Sequence, residues 1–391
     1  MRYLIDGCYG DGNVGDECLL LAVARLVRAA DPRAEIAAFS SDAARTETET
    51  GLAAVPQCNP FGRNLYGSVV KGLLWRTFGQ IRRCDVFILG GGELFRDNVG
   101  LTATLGMFYR MRLARWLGKR VLALGVGAQP ATTWWGRRFL RGSLRAARAL
   151  VFRDPDSLQV ARQLAPGLAT ASCLPDLVFS LDWAAYRAAR DAARDAARDA
   201  TQTADRPLRI GVAVKSLPRR HRWADAVNRC LPDVLATALT AFGRGQACLV
   251  SVLPFADADV EFADELGERL RRAGLAVGAR TPPQIEPLQG RMAEQDCLLA
   301  VPLHASVFAF ACGVPALGLS YDEKIPRLYQ SFGVPEQCRP VGSLDAATLE
   351  QDLRRLVQQR TELGSQLVAR ARQAEQTICH AIGALLAETN G

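Results

Sequence analysis

Histidine and paired cysteines are the scarcest features of this sequence of 391 residues. Only three histidines occur, His221, His304 and His380, and none of the eleven cysteines forms a Cys-x-x-Cys pair. A metal centre built on several histidines, a zinc ribbon and a disulfide framework are therefore not expected. Cysteines within apolar stretches, such as Cys297 and Cys312, are typical of buried thiols in a reducing cytosol. We predict no metal site.

Long hydrophobic segments are equally scarce. The first residues, Met1–Asp6, reach an acidic residue and then glycines after a very short apolar run, so they lack the core of a signal peptide. One apolar run, residues 297–320, reaches the length of a membrane span, but Pro302, Gly313 and Pro315 divide it into a strand, a helix and a second strand. We therefore predict no transmembrane helix and a cytoplasmic location.

The charge of the chain favours anionic partners. Its 48 Lys and Arg residues exceed its 40 Asp and Glu residues, which gives a net charge of +8. Phosphorylated metabolites, nucleotides and anionic lipid are suitable partners for such a protein. The arginines are spread along the chain and do not form a basic arm with interleaved aromatic residues, so nucleic-acid binding is not expected.

Strand-like and helix-like segments alternate along most of the chain, which predicts an α/β fold. We predict two Rossmann-like parallel-sheet domains facing a cleft, over residues 1–182 and 207–344. Residues 183–206 contain Ala-Ala-Arg-Asp repeats and are predicted to form an exposed, polar connecting helix. Residues 345–391 are predicted to be C-terminal helices. Ligands of such folds bind at the C-terminal ends of the strands.

A glycine-rich loop follows the first predicted strand, Tyr3–Gly7. Its glycines let the backbone approach a ligand, and the helix that follows offers N–H groups to an anion. The spacing also fits a dinucleotide-binding loop, but Ser40 and Ser41 stand where the ribose-binding acid is expected. A tight turn without a ligand is the other alternative. The candidate ligand-binding residues of this loop are Gly10, Asp11, Gly12, Asn13, Gly15 and Asp16.

A second glycine-rich segment, Gly90-Gly91-Gly92, follows the predicted strand Asp85–Leu89 and is predicted to be a tight loop. Consecutive glycines cost backbone entropy, which indicates close packing or contact with a ligand. We predict that Gly91 and Gly92 contact a ligand and that Glu93 is a polar contact or a base. Asp97, a few residues later, is as well explained as a local cap.

The predicted second domain has polar residues where its strands end. His304 begins a helix and can exchange protons near neutral pH, although a structural, half-buried histidine is the alternative. Lys215 ends a strand and is predicted to bind a phosphate or carboxylate. Ser320 and Lys324 follow the next strand and are predicted to bind ligand similarly, with an ordinary surface lysine as the alternative for either cation. His221 is predicted to lie in a surface loop.

Taken in order over residues 3–335, these segments resemble the polysaccharide pyruvyl transferase family. Each matching motif is weak singly, and the ordered set is fairly specific. The motifs are Tyr9–Glu17, Leu89–Asp97, Val151–Asp154, Pro175–Phe179, Leu253–Phe255, Leu303–Pro315 and Ser320–Lys324. The resemblance implies a fold like that of two-domain GT-B glycosyltransferases. It also implies transfer of pyruvate from phosphoenolpyruvate to sugar hydroxyls as a ketal.

That chemistry assigns a role to one histidine. The enol carbon is protonated, a sugar hydroxyl attacks the resulting oxocarbenium-like centre, a second hydroxyl closes the ketal and phosphate leaves. His304 stands at the position of the family's histidine, so the resemblance implies that it moves these protons. Phosphoenolpyruvate is the implied co-substrate, a sugar of a cell-surface glycan or its lipid-linked precursor is the implied acceptor, and no cofactor is implied.

Two positions differ from the family pattern. Pro302 stands where the family usually has Arg, and Lys215 stands where it often has Arg. A lysine does not reproduce the bidentate grip of a guanidinium on an anion. A GT-B-type glycosyltransferase that uses a nucleotide sugar is therefore an alternative, and a non-catalytic or divergent member with another donor is a third.

One basic segment predicts contact with a membrane. Arg137, Arg138 and Arg141 lie beside Trp134 and Trp135. Arginines with neighbouring tryptophans are suited to an anionic lipid surface, so a place at the inner face of the membrane is an additional hypothesis. An ordinary exposed helix start is the alternative.

Overall fold

The structure, a computed structural model, describes residues 1–57, 72–98, 100–168, 170–199 and 206–390. The chain divides into two compact units. The first comprises Met1–Asp11, Gly15–Leu181 and Ala374–Gly391, and the second comprises Gly12–Val14 and Asp182–Gln373. Each unit is built around one parallel sheet flanked by helices, so the predicted α/β fold class is confirmed.

The sheet of the first unit has seven described strands in the order β3-β2-β1-β4-β5-β6-β7. These strands are β1 (Arg2–Asp6), β2 (Glu35–Ser40), β3 (Ala53–Pro56), β4 (Val86–Phe95), β5 (Arg120–Ala128), β6 (Ala149–Phe152) and β7 (Ala171–Cys173). Its described α-helices are Val14–Ala30, Ala43–Thr50, Leu73–Arg83, Leu101–Trp116, Trp134–Ala146 and Pro155–Leu164. The strands β1, β4, β5 and β6 are almost wholly buried because helices cover both faces of a parallel sheet.

The sheet of the second unit has six described strands in the order β10-β9-β8-β11-β12-β13. They are β8 (Leu208–Val214), β9 (Cys248–Pro254), β10 (Ala276–Val277), β11 (Cys297–Ala300), β12 (Ala316–Ser320) and β13 (Cys338–Pro340). The α-helices that begin in this unit are Ala184–Asp199, Leu231–Gly243, Val260–Arg272, Ile285–Ala293, Leu303–Cys312, Lys324–Ser331, Ala346–Gln358 and Arg360–Asn390. The last helix begins in the second unit and ends in the first.

The triple glycine is the main departure from the predicted elements. The tight loop predicted at Gly90–Gly92 is wrong, because β4 runs through the glycines to Phe95 and stays paired with β5. Gly91 and Gly92 have φ angles of 68° and 81°, and the pairing register shifts between Gly92 and Phe95. Residue type alone does not distinguish a turn from an irregular strand, since glycine suits both.

The predicted connecting helix differs from expectation in its burial. It is helical over Ala184–Asp199, but Arg187 and Arg190 near its start are buried within the second unit. Arg187 donates to the carbonyl of Ala311 at 3.3 Å, and Arg190 donates to the carbonyl of Ala293 at 3.1 Å. The composition suggested an exposed helix because arginine is usually exposed, yet its aliphatic stem packs well on apolar surface.

A buried ion pair fastens one helix of the first unit to the end of β1. Arg110 in the helix Leu101–Trp116 donates through Nε to Oδ2 of Asp6 at 2.7 Å, and both side chains are buried. Gln57 donates to the other carboxylate oxygen at 2.8 Å. Loss of either charged partner would leave a buried charge, at a cost of about 3–5 kcal/mol.

Among the described helices, none is both long enough and apolar enough to cross a membrane.

Gly91 provides a test of the close packing between β4 and the first helix. An alanine Cβ at this position would lie 2.6 Å from Cβ of Leu19, in addition to the strain of a positive φ. Gly51 has a similar φ of 66° with no atom within 4 Å of such a Cβ, so it reports the backbone strain alone. We expect Gly51→Ala to lower the free energy of unfolding by about 1 kcal/mol and Gly91→Ala by about 3 kcal/mol in urea titrations. Equal losses would show that Leu19 does not restrict the strand.

Candidate functional site

The C-terminal ends of parallel strands meet at one edge of a sheet, and most of the predicted site residues lie at such edges. In the first unit, the loops after β2, β1, β4 and β6 contribute to this edge. In the second unit, the segments after β9, β8, β11 and β12 do so, in that spatial order. The candidate site is described below as one group of residues in each unit.

The loop after β1 is fixed by contacts to its neighbours in the sheet. The hydroxyl of Tyr9 donates to the carbonyl of Gly90, and the carbonyl of Tyr9 accepts from the backbone N–H of Ser41 at 2.9 Å. The hydroxyl of Ser41 also lies 2.5 Å from Oδ1 of Asp11. Ser41 occupies the place of a ribose-binding acid and instead holds the loop. The alternative of a dinucleotide-binding loop therefore lacks its ribose-binding acid at this position.

Only glycine fits at position 10 of this loop. Gly10 has a φ of 85°, and a Cβ there would lie 2.3 Å from Oγ of Ser40 and 2.5 Å from the backbone nitrogen of Asp42. The glycine thus serves close packing of the loop on the end of β2.

Glu17 is a buried carboxyl beneath the same loop. Its Oε1 accepts from the backbone N–H of Gly10 at 2.6 Å, whereas its Oε2 has no hydrogen-bond partner among the described residues. Burial raises the pKa of Glu17 to about 7, although the hydrogen bond from Gly10 acts in the opposite direction. Glu17 was not predicted as a site residue, because a sequence position so near Asp11 and Asp16 gave no sign of burial.

Glu93 lies between two guanidinium groups at the end of β4. Its carboxylate is 3.5 Å from Nη1 of Arg96 and 3.8 Å from Nη2 of Arg153. The side chain of Arg153 is only 7% exposed and also lies 3.9 Å from the carboxylate of Asp154. Both arginines were missed as site residues, although Arg153 belongs to the motif Val151–Asp154. Arg96 is three residues from Glu93 in the sequence, whereas the proximity of Arg153 to Glu93 depends on the neighbouring order of β4, β5 and β6, which a motif does not reveal.

Asp97 is a structural anchor, but its side chain is not the local cap that we predicted as the alternative, since its partners lie far along the sequence. Its carboxylate accepts hydrogen bonds of 2.8–2.9 Å from the backbone N–H and hydroxyl groups of Thr132 and Thr133. Burial alone would raise the pKa of Asp97, but these four hydrogen bonds outweigh it and hold the pKa below its usual value. Thr133 in turn caps the helix Trp134–Ala146.

Gly12 and Asn13 of the glycine-rich loop belong to the second unit. There, Asn13 forms an isolated antiparallel bridge with Ala256. Val14 donates to the carbonyl of Phe255 at 3.0 Å, and Asp257 donates to the carbonyl of Gly12 at 3.1 Å. The motif Leu253–Phe255 thus lies at the end of β9 beside this part of the loop.

Lys215 lies near a buried acid at the end of β8. Asp259 is buried, its Oδ1 accepts from the backbone N–H of Ser216 at 2.8 Å, and its Oδ2 has no hydrogen-bond partner within the described ranges. Burial raises the pKa of Asp259, while the charge of Lys215 lowers it. The effect of burial is the larger of the two, so the pKa of this carboxyl lies above its usual value.

His304 occupies the first turn of the helix Leu303–Cys312 and is half-buried. Pro302 is the N-cap residue of this helix, in an extended conformation, and it provides no side-chain cap. The positive end of the helix dipole therefore lies beside His304. β11, which precedes this turn, pairs directly with β8, and Val301 donates to the carbonyl of Ala213 at 3.0 Å. His304 and Lys215 consequently follow neighbouring strands.

The segment after β12 contacts the loop that contains His221. Lys324 pairs with Asp322 at 2.9 Å, and its Nζ lies 5.9 Å from the centre of the Tyr321 ring. The ring of His221 meets the same tyrosine edge-on, with centroids 5.7 Å apart. His221 lies in a loop, as predicted, and is half-buried there. The hydroxyl of Ser320 donates to the carbonyl of Arg339 at 3.3 Å.

Comparison with known proteins decides the family. Residues 13–221, more than half of the chain, match the family model described as polysaccharide pyruvyl transferase. The chain belongs to this family. It is accordingly a transferase, and the expected family and enzyme class are confirmed. No curated protein matches the sequence.

Solved structures share the whole fold of this family member at low sequence identity. Anabaena Alr3699/HepE is 15% identical with a TM-score of 0.64, over 99% of this chain and 100% of that chain. The UDP-GlcNAc 2-epimerase of Neisseria meningitidis is 10% identical with a TM-score of 0.60, over 100% and 99%. Acinetobacter baumannii MurG is 17% identical with a TM-score of 0.52, over 98% and 99%. The predicted GT-B-like fold is thereby confirmed.

The buried carboxyl of Glu17 gives the transferase a pH-dependent stability that can be tested. The pKa of about 7 in the folded state lies above the value of about 4.3 in an unfolded chain. The protonated form thus stabilises the fold below about pH 4, and this contribution is lost as pH rises through 7. Glu17→Gln keeps an acceptor for Gly10 without a titrating group. We expect the free energy of unfolding of the wild type to fall relative to this variant as pH rises through 7 in urea titrations.

The control for this comparison is Glu286→Gln, since Glu286 is exposed. Its pH profile should run parallel to that of the wild type. A Glu17→Gln profile that is also parallel to the wild type would contradict the raised pKa of Glu17.

Proposed function

We propose that this transferase moves pyruvate from phosphoenolpyruvate onto two hydroxyls of a sugar as a ketal, with the sugar belonging to a cell-surface glycan or its precursor. The observation that carries the proposal is the placement of Lys215 and His304 after the paired strands β8 and β11. A fixed cation and a proton-transfer group at one sheet edge suit a small anionic enol donor.

Lys215 and the start of the helix Leu303–Cys312 provide the donor's electrostatic contacts. Phosphoenolpyruvate carries a phosphate and a carboxylate, so it requires positive groups on more than one side. Lys215 supplies a point charge, and the helix start supplies the positive end of a dipole. Pro302 contributes no charge where the family usually has Arg, so the proposal places the donor's contacts on Lys215 and the helix start.

His304 supplies the proton chemistry in this proposal. It gives a proton to the methylene carbon of the enol, which leaves positive charge on the adjacent carbon. A sugar hydroxyl adds its oxygen to that carbon and gives its proton to His304. The carbon–oxygen bond to phosphate then breaks, and the second hydroxyl closes the ketal and gives its proton to the departing phosphate. The net products are the pyruvate ketal and inorganic phosphate.

In the first unit, the group around Glu93 suits a polar substrate. Glu93 offers carboxylate oxygens to sugar hydroxyls, and Arg96 and Arg153 hold it in place at 3.5 and 3.8 Å. Gly91 and Gly92 leave the backbone beside it without side chains. We assign this group to substrate contact, with Glu93 as a polar contact for a sugar hydroxyl.

A second candidate function is sugar transfer from a nucleotide sugar. It is favoured by the fold neighbour Anabaena Alr3699/HepE, whose structure is a complex with UDP and glucose. UDP-GlcNAc is bound by the Neisseria meningitidis epimerase. A nucleotide sugar would use the same cation and helix start for its diphosphate.

Isothermal titration with phosphoenolpyruvate tests the donor. We expect saturable binding by the wild type, loss of at least tenfold in affinity for Lys215→Ala, and retained binding for Lys215→Arg, because arginine restores the charge. UDP-glucose is titrated in parallel. Binding of UDP-glucose with none of phosphoenolpyruvate would replace the proposed function by the second candidate.

Replacement of His304 tests the proton step separately. We expect His304→Ala to lower phosphate release from phosphoenolpyruvate, measured over a panel of glycosides with neighbouring hydroxyls, by about 100-fold or more. Donor binding by calorimetry should persist. His380→Ala, at an exposed position of the last helix, is the matched control and should keep wild-type turnover. Wild-type turnover by His304→Ala would remove His304 from the mechanism.

A further inference from the structure

One continuous part of the first unit is free of acidic residues. Between Asp97 and Asp154 the sequence contains no Asp or Glu, whereas it contains eleven Lys and Arg residues. The whole chain is far more balanced, with 48 basic and 40 acidic residues. The excess of positive charge is therefore concentrated in this segment.

The fold gathers much of this charge on the outer side of two neighbouring helices, Leu101–Trp116 and Trp134–Ala146. The helices pack through Phe108 and Phe139, whose ring centroids are 5.3 Å apart. An open groove of about 650 Å³ lies along them. Its lining includes Arg112, Arg137, Arg138, Arg141, Arg145 and Trp134. We call these residues, together with Trp135, the arginine–tryptophan face.

Two tryptophans of this face are unusually exposed. Trp134 and Trp135 retain 67% and 51% of their accessible surface, and their rings meet edge-on with centroids 4.4 Å apart. Trp116, one helical turn beyond Arg112, is 78% exposed. Exposed indole rings on a folded protein are costly in water, but they suit the boundary between lipid headgroups and acyl chains.

We propose that the arginine–tryptophan face docks on a membrane surface that carries anionic phospholipid. The arginines bind headgroup phosphates, for which the guanidinium fork is well shaped, and the exposed indoles enter the interfacial layer. A soluble polyanion would account for the arginines alone, whereas the lipid surface accounts for both residue types.

The face begins at the sheet edge that holds the first-unit site group. Asp97, four residues after Glu93, is hydrogen-bonded to Thr132 and Thr133, and Trp134 follows directly. Docking therefore brings this edge towards the lipid surface. The consequence that a lipid-linked acceptor meets Glu93 rests on the proposed function, but the docking itself does not require it.

Vesicle sedimentation tests the proposal without donor or acceptor, so its result is independent of the transfer reaction. The full chain is mixed with vesicles of phosphatidylcholine alone or of phosphatidylcholine with phosphatidylglycerol, at low and physiological salt. We expect sedimentation only with phosphatidylglycerol, weaker at the higher salt. The triple variant Arg137→Gln, Arg138→Gln, Arg141→Gln should partition about 100-fold less.

The matched control removes the same charge elsewhere. Arg244→Gln, Arg272→Gln, Arg355→Gln changes three exposed arginines of the second unit and should sediment like the wild type. Trp134→Ser should reduce the binding that persists at physiological salt, and the tryptophan emission of the wild type should shift to the blue on binding. Thermal unfolding of each variant verifies its fold.

Three results would overturn the proposal. They are no sedimentation with phosphatidylglycerol vesicles at low salt, equal loss of binding by the two triple variants, and binding of the face to heparin or duplex RNA without binding to vesicles.

Discussion

The contact of the first helix with the glycines of β4 is the constraint on which the first-unit site group depends. Gly91 leaves no room for a side chain against Leu19, and Gly92 lies opposite Asp16. This approach fixes where the loop after β1 can lie, and the Tyr9 hydroxyl then joins the loop to Gly90. Because β4 continues through the glycines, the same strand delivers Glu93 to the sheet edge. The glycines that pack against the first helix and the carboxylate of Glu93 thus lie on the same strand.

In each unit, burial raises the pKa of one carboxyl at the sheet edge. Glu17 lies below the loop of the first unit, and Asp259 lies beside Lys215 in the second. Each accepts a hydrogen bond from the backbone of a loop at the sheet edge through one oxygen and has no partner at the other among the described residues. In both carboxyls burial opposes the charged form, whereas the hydrogen bond from the backbone favours it.

The sequence was informative about the elements because buried parallel strands are apolar and their following loops are rich in glycine and polar residues. It placed Lys215 and His304 at strand ends, and the structure locates both there. The sequence did not indicate which residues from different strands lie next to each other. The pairs Glu93 with Arg153 and His221 with Tyr321 arise from strand order, and a motif carries no information on which strands adjoin. The prediction of a tight loop at the triple glycine was wrong for a different reason, since glycine with a positive φ occurs in turns and in irregular strands alike.

Pro302, which stands where the resemblance implies Arg, suits the backbone conformation at the start of the helix. The residue between β11 and the helix is extended, with φ −75° and ψ 143°, which proline adopts without strain. Proline thus rigidifies the turn that positions His304 while removing a guanidinium. In the proposed reaction, the donor is therefore bound less by charge at this position and more by the helix start and Lys215. The affinity for donor should therefore depend on the Lys215 charge more steeply than in a family member that retains the arginine.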